Sequence, residues 1–269
     1  MRIEKLRLKK LINTRDLGGL PCEGGKIARG LLYRSGKLYA LPEKTVRFFV
    51  ERGVLTIVDL RIETEVNEHP DAVWDGAKYI RLPLPCTATP EPTDYKNMRE
   101  TMRAEGKRIK KEFGSGDGYM LKTYDELLFS DYSRGQLARF FKILIEADGG
   151  VIWHCSGGKD RAGLISMILE GLLGVPEEFI IADFTASAHF QRRKRIFQKA
   201  AIVLVPSSLG LKKILLAMMR APEKYARHAL EGIKARYGSV YGYCTQALGL
   251  TDGEIQTLKR KYIETAAEF

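Results

Sequence analysis

Ten consecutive residues, His154-Cys155-Ser156-Gly157-Gly158-Lys159-Asp160-Arg161-Ala162-Gly163, narrow what this chain can fold into more than any other segment. The apolar run Gly150-Val151-Ile152-Trp153 before them reads as a buried strand, and Ala162–Glu170 after them reads as a helix. A strand, a tight glycine-bearing loop and a helix N-terminus in succession make a site for an anion. The segment is not a nucleotide-binding loop of the Gly-x-x-x-x-Gly-Lys-Ser/Thr type, because Trp153 and Asp160 stand where glycine and a hydroxyl residue would be needed.

Cysteine attacks as the thiolate, and converging loop N–H groups, a helix N-terminus and nearby cations all favour that form. Cys155 has all three within the next six residues. A buried cysteine after a strand is by itself an ordinary core residue, but a core has no use for Lys159, Asp160 and Arg161 in sequence. Gly157 and Gly158 allow the backbone to approach a ligand closely. Arg161 closes the loop with a planar fork suited to two phosphate oxygens. The expected chemistry is transfer of a phosphoryl group to the Cys155 sulfur and hydrolysis of the phosphocysteine by water.

These residues resemble the His-Cys-x5-Arg signature of the cysteine-dependent protein tyrosine phosphatase superfamily. They are most similar to its bacterial group, whose loop reads His-Cys-x-x-Gly-Lys-Asp-Arg-Thr-Gly. Three further segments resemble that group in the same order: Asn13-Thr14-Arg15-Asp16-Leu17-Gly18-Gly19, Arg29–Ser35, and Val58-Asp59-Leu60-Arg61 with Glu65 beyond. The resemblance spans roughly residues 10–260 and is weakest over 86–130. It implies a phosphatase acting on protein phosphotyrosine, extending to phosphoserine, phosphothreonine or phosphoinositides, with Ser156–Arg161 binding the phosphate. It also implies a supporting role for His154 and a bracing role for Arg15, Asp16, Asp59 and Arg61. One departure stands out: the family places serine or threonine after the arginine, where this chain has Ala162. That hydroxyl is thought to help the sulfur leave, so breakdown of the phosphocysteine is expected to be slowed here.

The leaving oxygen needs a proton, and a carboxylic acid is the usual donor. No Trp-Pro-Asp tripeptide is present; Trp74 and Trp153 precede Asp75 and His154. The resembled group points to the loop's own aspartate, Asp160. Asp59 is the alternative, because a residue ending a buried strand faces the ligand crevice of an open α/β sheet. The competing role for Asp160 is charge balance beside Lys159 and Arg161; for Asp59 it is pairing with Arg61. Lys159 either supports the thiolate or meets an additional phosphate of an inositol lipid.

With 269 residues, 45% of them hydrophobic and 29% charged, the chain suits one globular domain. The formal charge of +11 favours anionic partners. Its denser basic runs, Arg103–Lys111 and Arg192–Lys199, read as solvated helix faces, so no nucleic acid is expected, while peripheral contact with anionic lipid stays open. Four scattered cysteines show neither zinc-ligand spacing nor a disulfide framework. No metal or organic cofactor is expected. No segment is long and apolar enough to span a bilayer, and Met1–Lys10 is no signal sequence. The expected location is cytoplasmic, or exported with a leader absent from this sequence.

Strand patterns at Leu31–Arg34, Val54–Leu60, Tyr79–Leu84 and Gly150–His154 alternate with helical ones, the first being Pro42–Arg52. This predicts an α/β fold: a mostly parallel central sheet flanked by helices, with the phosphate-binding loop between a strand and a helix N-terminus. Residues 119–147 read as helix, and residues 86–130 as a lid-like insertion including a flexible turn at Gly114–Gly118. Helices are expected after Pro176 and Pro222, over Leu211–Met219, and after the capping box Thr251-Asp252-Gly253-Glu254. Two other functions remain at this stage, a phosphate-binding module that has lost catalysis and a sulfurtransferase. Ala162 motivates the first; Arg161 and the upstream matches weigh against the second.

Overall fold

Valine-, isoleucine- and leucine-rich runs that must be covered on both faces make the centre of the fold. In the computed structural model, which describes residues 5–85, 107–108, 111–190, 212–213, 216–217 and 219–265, they assemble into a five-stranded sheet. The elements run β1 (Arg15–Asp16), β2 (Pro21–Cys22), β3 (Gly25–Ile27), β4 (Leu32–Ser35), α1 (Glu43–Val50), β5 (Val54–Asp59), α2 (Glu63–Glu68) and β6 (Lys78–Arg81). There follow α3 (Gly116–Phe129), α4 (Asp131–Glu146), β7 (Gly150–His154), α5 (Asp160–Leu172), α6 (Glu177–Phe190) and α7 (Glu223–Tyr237). A short helical turn at Val240–Gly242 runs into a π-helical turn at Tyr243–Ala247, and α8 (Asp252–Tyr262) and β8 (Ile263–Thr265) close the described chain.

The sheet order is β1-β4-β7-β5-β6. Only β1 is antiparallel to its neighbour, so the expectation of a mostly parallel sheet holds. The buried strand β7 lies between β4 and β5, which precede it in the chain; the crossover from β4 to β5 therefore opens a crevice at the carboxyl end of β7. Ser35 and Asp59 both pair in register with His154 there, so three strand ends meet at one point. A second, three-stranded sheet, β2-β3-β8, ties the last described residues to the N-terminal hairpin.

Side-chain alternation on β7 sorts the two cores. Val151 and Trp153 join Leu32 and Val58 under the helical layer of α3 to α8, with Phe140 edge-on to Trp153 at 5.4 Å. Ile152 turns to the other face, with Tyr33, Ile57, Phe49 and Trp74. Pro42 precedes α1 and Pro222 precedes α7 as N-caps, and Thr251 and Glu254 form the expected capping box.

Two expectations are corrected. Residues 119–147 are not one helix: Ser130 ends α3 with an extended backbone, and its hydroxyl accepts from the Ser133 N–H to start α4. Nor is Gly114–Gly118 a flexible turn. Ser115 caps α3, and Tyr119, Met120, Tyr124, Leu127 and Leu128 are buried. Residues 86–106 and 109–110, part of Leu211–Met219 and most of the two basic runs lie outside the described residues.

Candidate active site

The loop after β7 is shaped from behind. The carbonyl of Ser156 accepts from the Lys37 N–H at 3.4 Å. Those of Gly157 and Gly158 accept from Asn13 Nδ2 at 3.3 and 2.5 Å. The Arg34 guanidinium takes the carbonyls of Gly158 and Lys159 at 3.1 and 3.3 Å. A peptide unit is planar and trans, so each anchored carbonyl sends the following N–H the opposite way. The amides of Gly157 to Asp160 therefore turn from the scaffold toward the loop's inner side. Gly158 has φ +64°, and a Cβ there would lie 2.5 Å from the Gly36 nitrogen, so sterics demand glycine twice over. The first turn of α5 has no side-chain cap, and a helix N-terminus favours an anion.

Beneath the loop lies a dry ionic cluster. Arg15 donates to Asp183 from Nε at 2.5 Å and to Asn13 Oδ1 at 2.7 Å, and Arg34 donates to the other oxygen of Asp183. All these side chains are buried. Burial opposes ionisation of Asp183, but the two arginines outweigh it and hold the carboxyl below its usual range. Glu170 on α5 is wholly buried nearby; burial first, then the charge of Asp183 and a hydrogen bond with its carboxylate, push it well above the carboxylate range. Arg15 thus braces the loop, through Asn13. Asp16 braces something else: its carboxylate accepts from the N–H groups of Gly18 and Gly30 at 2.8 Å, closing the N-terminal turn.

A second cluster backs His154. Arg61 holds both oxygens of Asp59, from Nε at 2.9 Å and Nη2 at 2.8 Å, and its Nη2 lies 2.7 Å from Asp71. The Tyr79 hydroxyl donates to Asp59 at 2.7 Å. His154 Nε2 stands 2.9 Å from an Asp71 oxygen. Burial disfavours the Asp59 carboxylate, yet the bonds and charges of Arg61 and His154 prevail and bring its pKa down to about 2. Asp59, Asp71 and His154 lie close enough to be considered together as metal ligands. The cation those carboxylates already bind is the Arg61 guanidinium, so a metal ion does not fit this cluster.

The loop's outer members face a third set of partners. Arg161 Nη1 and Nη2 form a two-pronged pair with Glu65, at 2.6 and 2.7 Å, and the Ser156 hydroxyl donates to the same carboxylate. Burial works against Glu65 ionisation, but Arg161 and Ser156 hold it below its usual range. Asp160 Oδ1 accepts from the Tyr124 hydroxyl at 2.6 Å and lies 2.9 Å from Lys159 Nζ. Lys159 Nζ also donates to the Arg220 carbonyl at 2.7 Å. Cys155 is buried at the base of the loop. Ala162 is buried too; its carbonyl accepts from Trp153 Nε1 at 3.2 Å and Ser166 Oγ at 2.9 Å.

Sequence reasoning did not single out Arg34, Tyr79, Asp71, Tyr124, Glu170 or Asp183 for roles, nor give Asn13 and Glu65 any beyond their place in a motif. Asp183 and Glu170 carry a legible signal, an acid at a core position of an otherwise apolar helix. Tyr124 carries none.

A cysteine-bearing anion loop between strand and helix, at the switch point of a mostly parallel sheet, is the architecture of a phosphatase. The chain belongs to the tyrosine phosphatase family, which it matches over residues 6–264, and it is an enzyme of that class. It is 26% identical over 249 residues to the triple specificity protein phosphatase PtpB of Mycobacterium tuberculosis, covering 86% of this chain and 90% of the relative. A tyrosine-protein phosphatase of Nostoc commune is 26% identical over 248 residues, 88% of this chain and 76% of that one. A Cupriavidus necator protein provisionally named a tyrosine-protein phosphatase is 25% identical over 246 residues, 90% and 84% of the two chains.

Proposed function

We propose that this chain hydrolyses phosphomonoesters through a phosphocysteine at Cys155, with protein phosphotyrosine as its main substrate. The observation that carries this reading is the pinning of four successive carbonyls, Ser156 to Lys159, by groups of the scaffold, which turns the following amides away from that scaffold in a loop whose first residue is a buried cysteine. The sulfur attacks phosphorus, and the bond to the leaving oxygen breaks as that oxygen takes a proton from Asp160. Water then attacks the phosphocysteine, its proton passing to Asp160, and sulfur leaves as thiolate. Loop amides and Arg161 hold the equatorial oxygens in both steps.

Asp160 is the better acid. Its side chain is a quarter exposed, whereas Asp59 is wholly buried, locked to Arg61 and held ionised. His154, Arg61 and Asp59 act as one block behind the cysteine, Arg15 supports the loop, and Asp16 supports only the turn. Lys159 spends its ammonium on Asp160 and the Arg220 carbonyl. That weighs toward phosphoprotein over phosphoinositide, while the triple specificity named for the Mycobacterium relative supports a reach to phosphoserine and phosphothreonine. Among the described residues no helix is long and apolar enough to cross a membrane.

A second reading, impaired turnover, is favoured by one observation. Ala162 has no hydroxyl, and the Ser156 hydroxyl is turned to Glu65. Stopped-flow hydrolysis of p-nitrophenyl phosphate tests both readings. Cys155→Ser should abolish product. The wild type should release a burst of about one equivalent of p-nitrophenol before a slower steady state, and Ala162→Ser should raise that steady rate. Residual activity in Cys155→Ser overturns the nucleophile; no burst together with an unchanged rate in Ala162→Ser removes the impairment.

A further inference from the structure

Tyr124 lies 36 positions before Asp160 in the chain, on a different helix, yet its hydroxyl donates to Asp160 Oδ1 at 2.6 Å. The ring itself is wholly buried. It lies against Tyr225 with centroids 5.7 Å apart and against Phe184 at 6.0 Å, so α3, α6 and α7 together fix where the hydroxyl points. Tyr225 is anchored in turn, its hydroxyl donating to Asp117 in the first turn of α3. The same Asp160 oxygen faces Lys159 Nζ at 2.9 Å. Oδ1 therefore has two donors and behaves as an acceptor. A proton carried by this carboxyl is favoured on Oδ2, because a protonated Oδ1 would face the Lys159 ammonium, which can only donate, and would give up the bond it accepts from Tyr124.

From this we infer that Tyr124 is a positioning residue for proton transfer: it reserves Oδ1 and presents Oδ2 to the leaving oxygen of the substrate. This rests on the reading of Asp160 as the acid. The phenol changes neither its bonds nor its charge during the reaction. It fixes the geometry in which Oδ2 gives up its proton in the first step and takes one from water in the second. Preorganised placement of this kind is where a distant residue influences a chemical step.

The test is a leaving-group series, measured as kcat/KM on aryl phosphates from p-nitrophenyl to phenyl. Good leaving groups depart without help and poor ones need the proton, so loss of the acid steepens the dependence on leaving-group pKa. Asp160→Asn should steepen it and cost phenyl phosphate about 100-fold or more. Tyr124→Phe keeps the ring and its packing. It should cost phenyl phosphate about 10-fold, the size of one lost hydrogen bond to a charged group, and p-nitrophenyl phosphate less than about 3-fold. An equal loss on every substrate, with an unchanged slope, would show a structural role and overturn the proposal. A steepened slope in Asp160→Asn with a wild-type profile in Tyr124→Phe would overturn Tyr124 alone. An unchanged slope in Asp160→Asn would remove Asp160 as the acid, and the inference with it.

Discussion

Two ionic networks hold the same loop and differ in nearly every physical respect. The inner one, Arg15, Arg34, Asp183 and Asn13, is wholly dry and bonds loop carbonyls or their holders. The outer one, Glu65, Arg161, Ser156, Asp160 and Lys159, bonds the groups expected to meet substrate, and its two carboxylates keep some contact with solvent. A buried pair returns little net stability when intact but leaves a costly orphan when broken. A pair at the rim of a site has another use: the two-pronged grip of Glu65 sets the direction in which the Arg161 guanidinium faces an incoming phosphate. On the function proposed above, the inner network is scaffold and the outer one machinery.

The sharpest way to break this division is Asp183→Asn, which leaves two buried guanidinium groups facing a neutral amide. Urea unfolding at pH 7 should show a loss of about 3–5 kcal/mol. A loss below about 1 kcal/mol would deny the inner network its structural role. Glu65→Gln should do the reverse. Its stability cost should stay near 1 kcal/mol, while kcat/KM for p-nitrophenyl phosphate falls about 10-fold as Arg161 loses its anchor. In the wild type that anchor persists above the ordinary glutamate range and weakens as pH falls through the depressed value. Unchanged kcat/KM with a large stability loss would place Glu65 with the scaffold.

Glu170 gives the finest distinction. Burial, and after it the charge of Asp183, raise its pKa well above 4.5, so above that pH the folded state binds a proton that the unfolded chain has lost. Its favourable contribution is full below about pH 4.5 and is lost as pH rises through the raised folded value. Glu170→Gln removes that dependence. The stability of the variant relative to wild type should therefore climb between pH 5 and 8, by at most about 1.4 kcal/mol per pH unit. A flat difference would mean that Glu170 is ionised in the folded state and belongs to a balanced quartet with Asp183 and the two arginines.

Much of the loop was legible in the linear chain because its residues are neighbours. Cys155 to Arg161 lie in one turn between a strand and a helix, and local backbone chemistry says why glycines and cations belong there. The carrying strands were legible from their apolar runs, β7 with both ends as expected and the others with ends shifted by at most three residues. The break at Ser130 was missed because a single serine cap is a weak signal inside a long helical pattern. The fate of residues 116–129 was missed because burial of Tyr119 and Tyr124 depends on α5, α6 and α7, which come later in the chain.

By itself the sequence determined the α/β class, the strand–loop–helix segment with its cysteine and arginine, and the kind of enzyme, all short-range properties. Tertiary structure decided how the charges pair. Asp59 goes to Arg61 and Asp160 to Tyr124 and Lys159, Glu65 to Arg161, and Asp183 to Arg15 and Arg34. Pairing depends on distance in space and on exclusion of water. For Glu65, Tyr124 and Asp183 those are settled only when strands and helices tens of residues apart close around the loop.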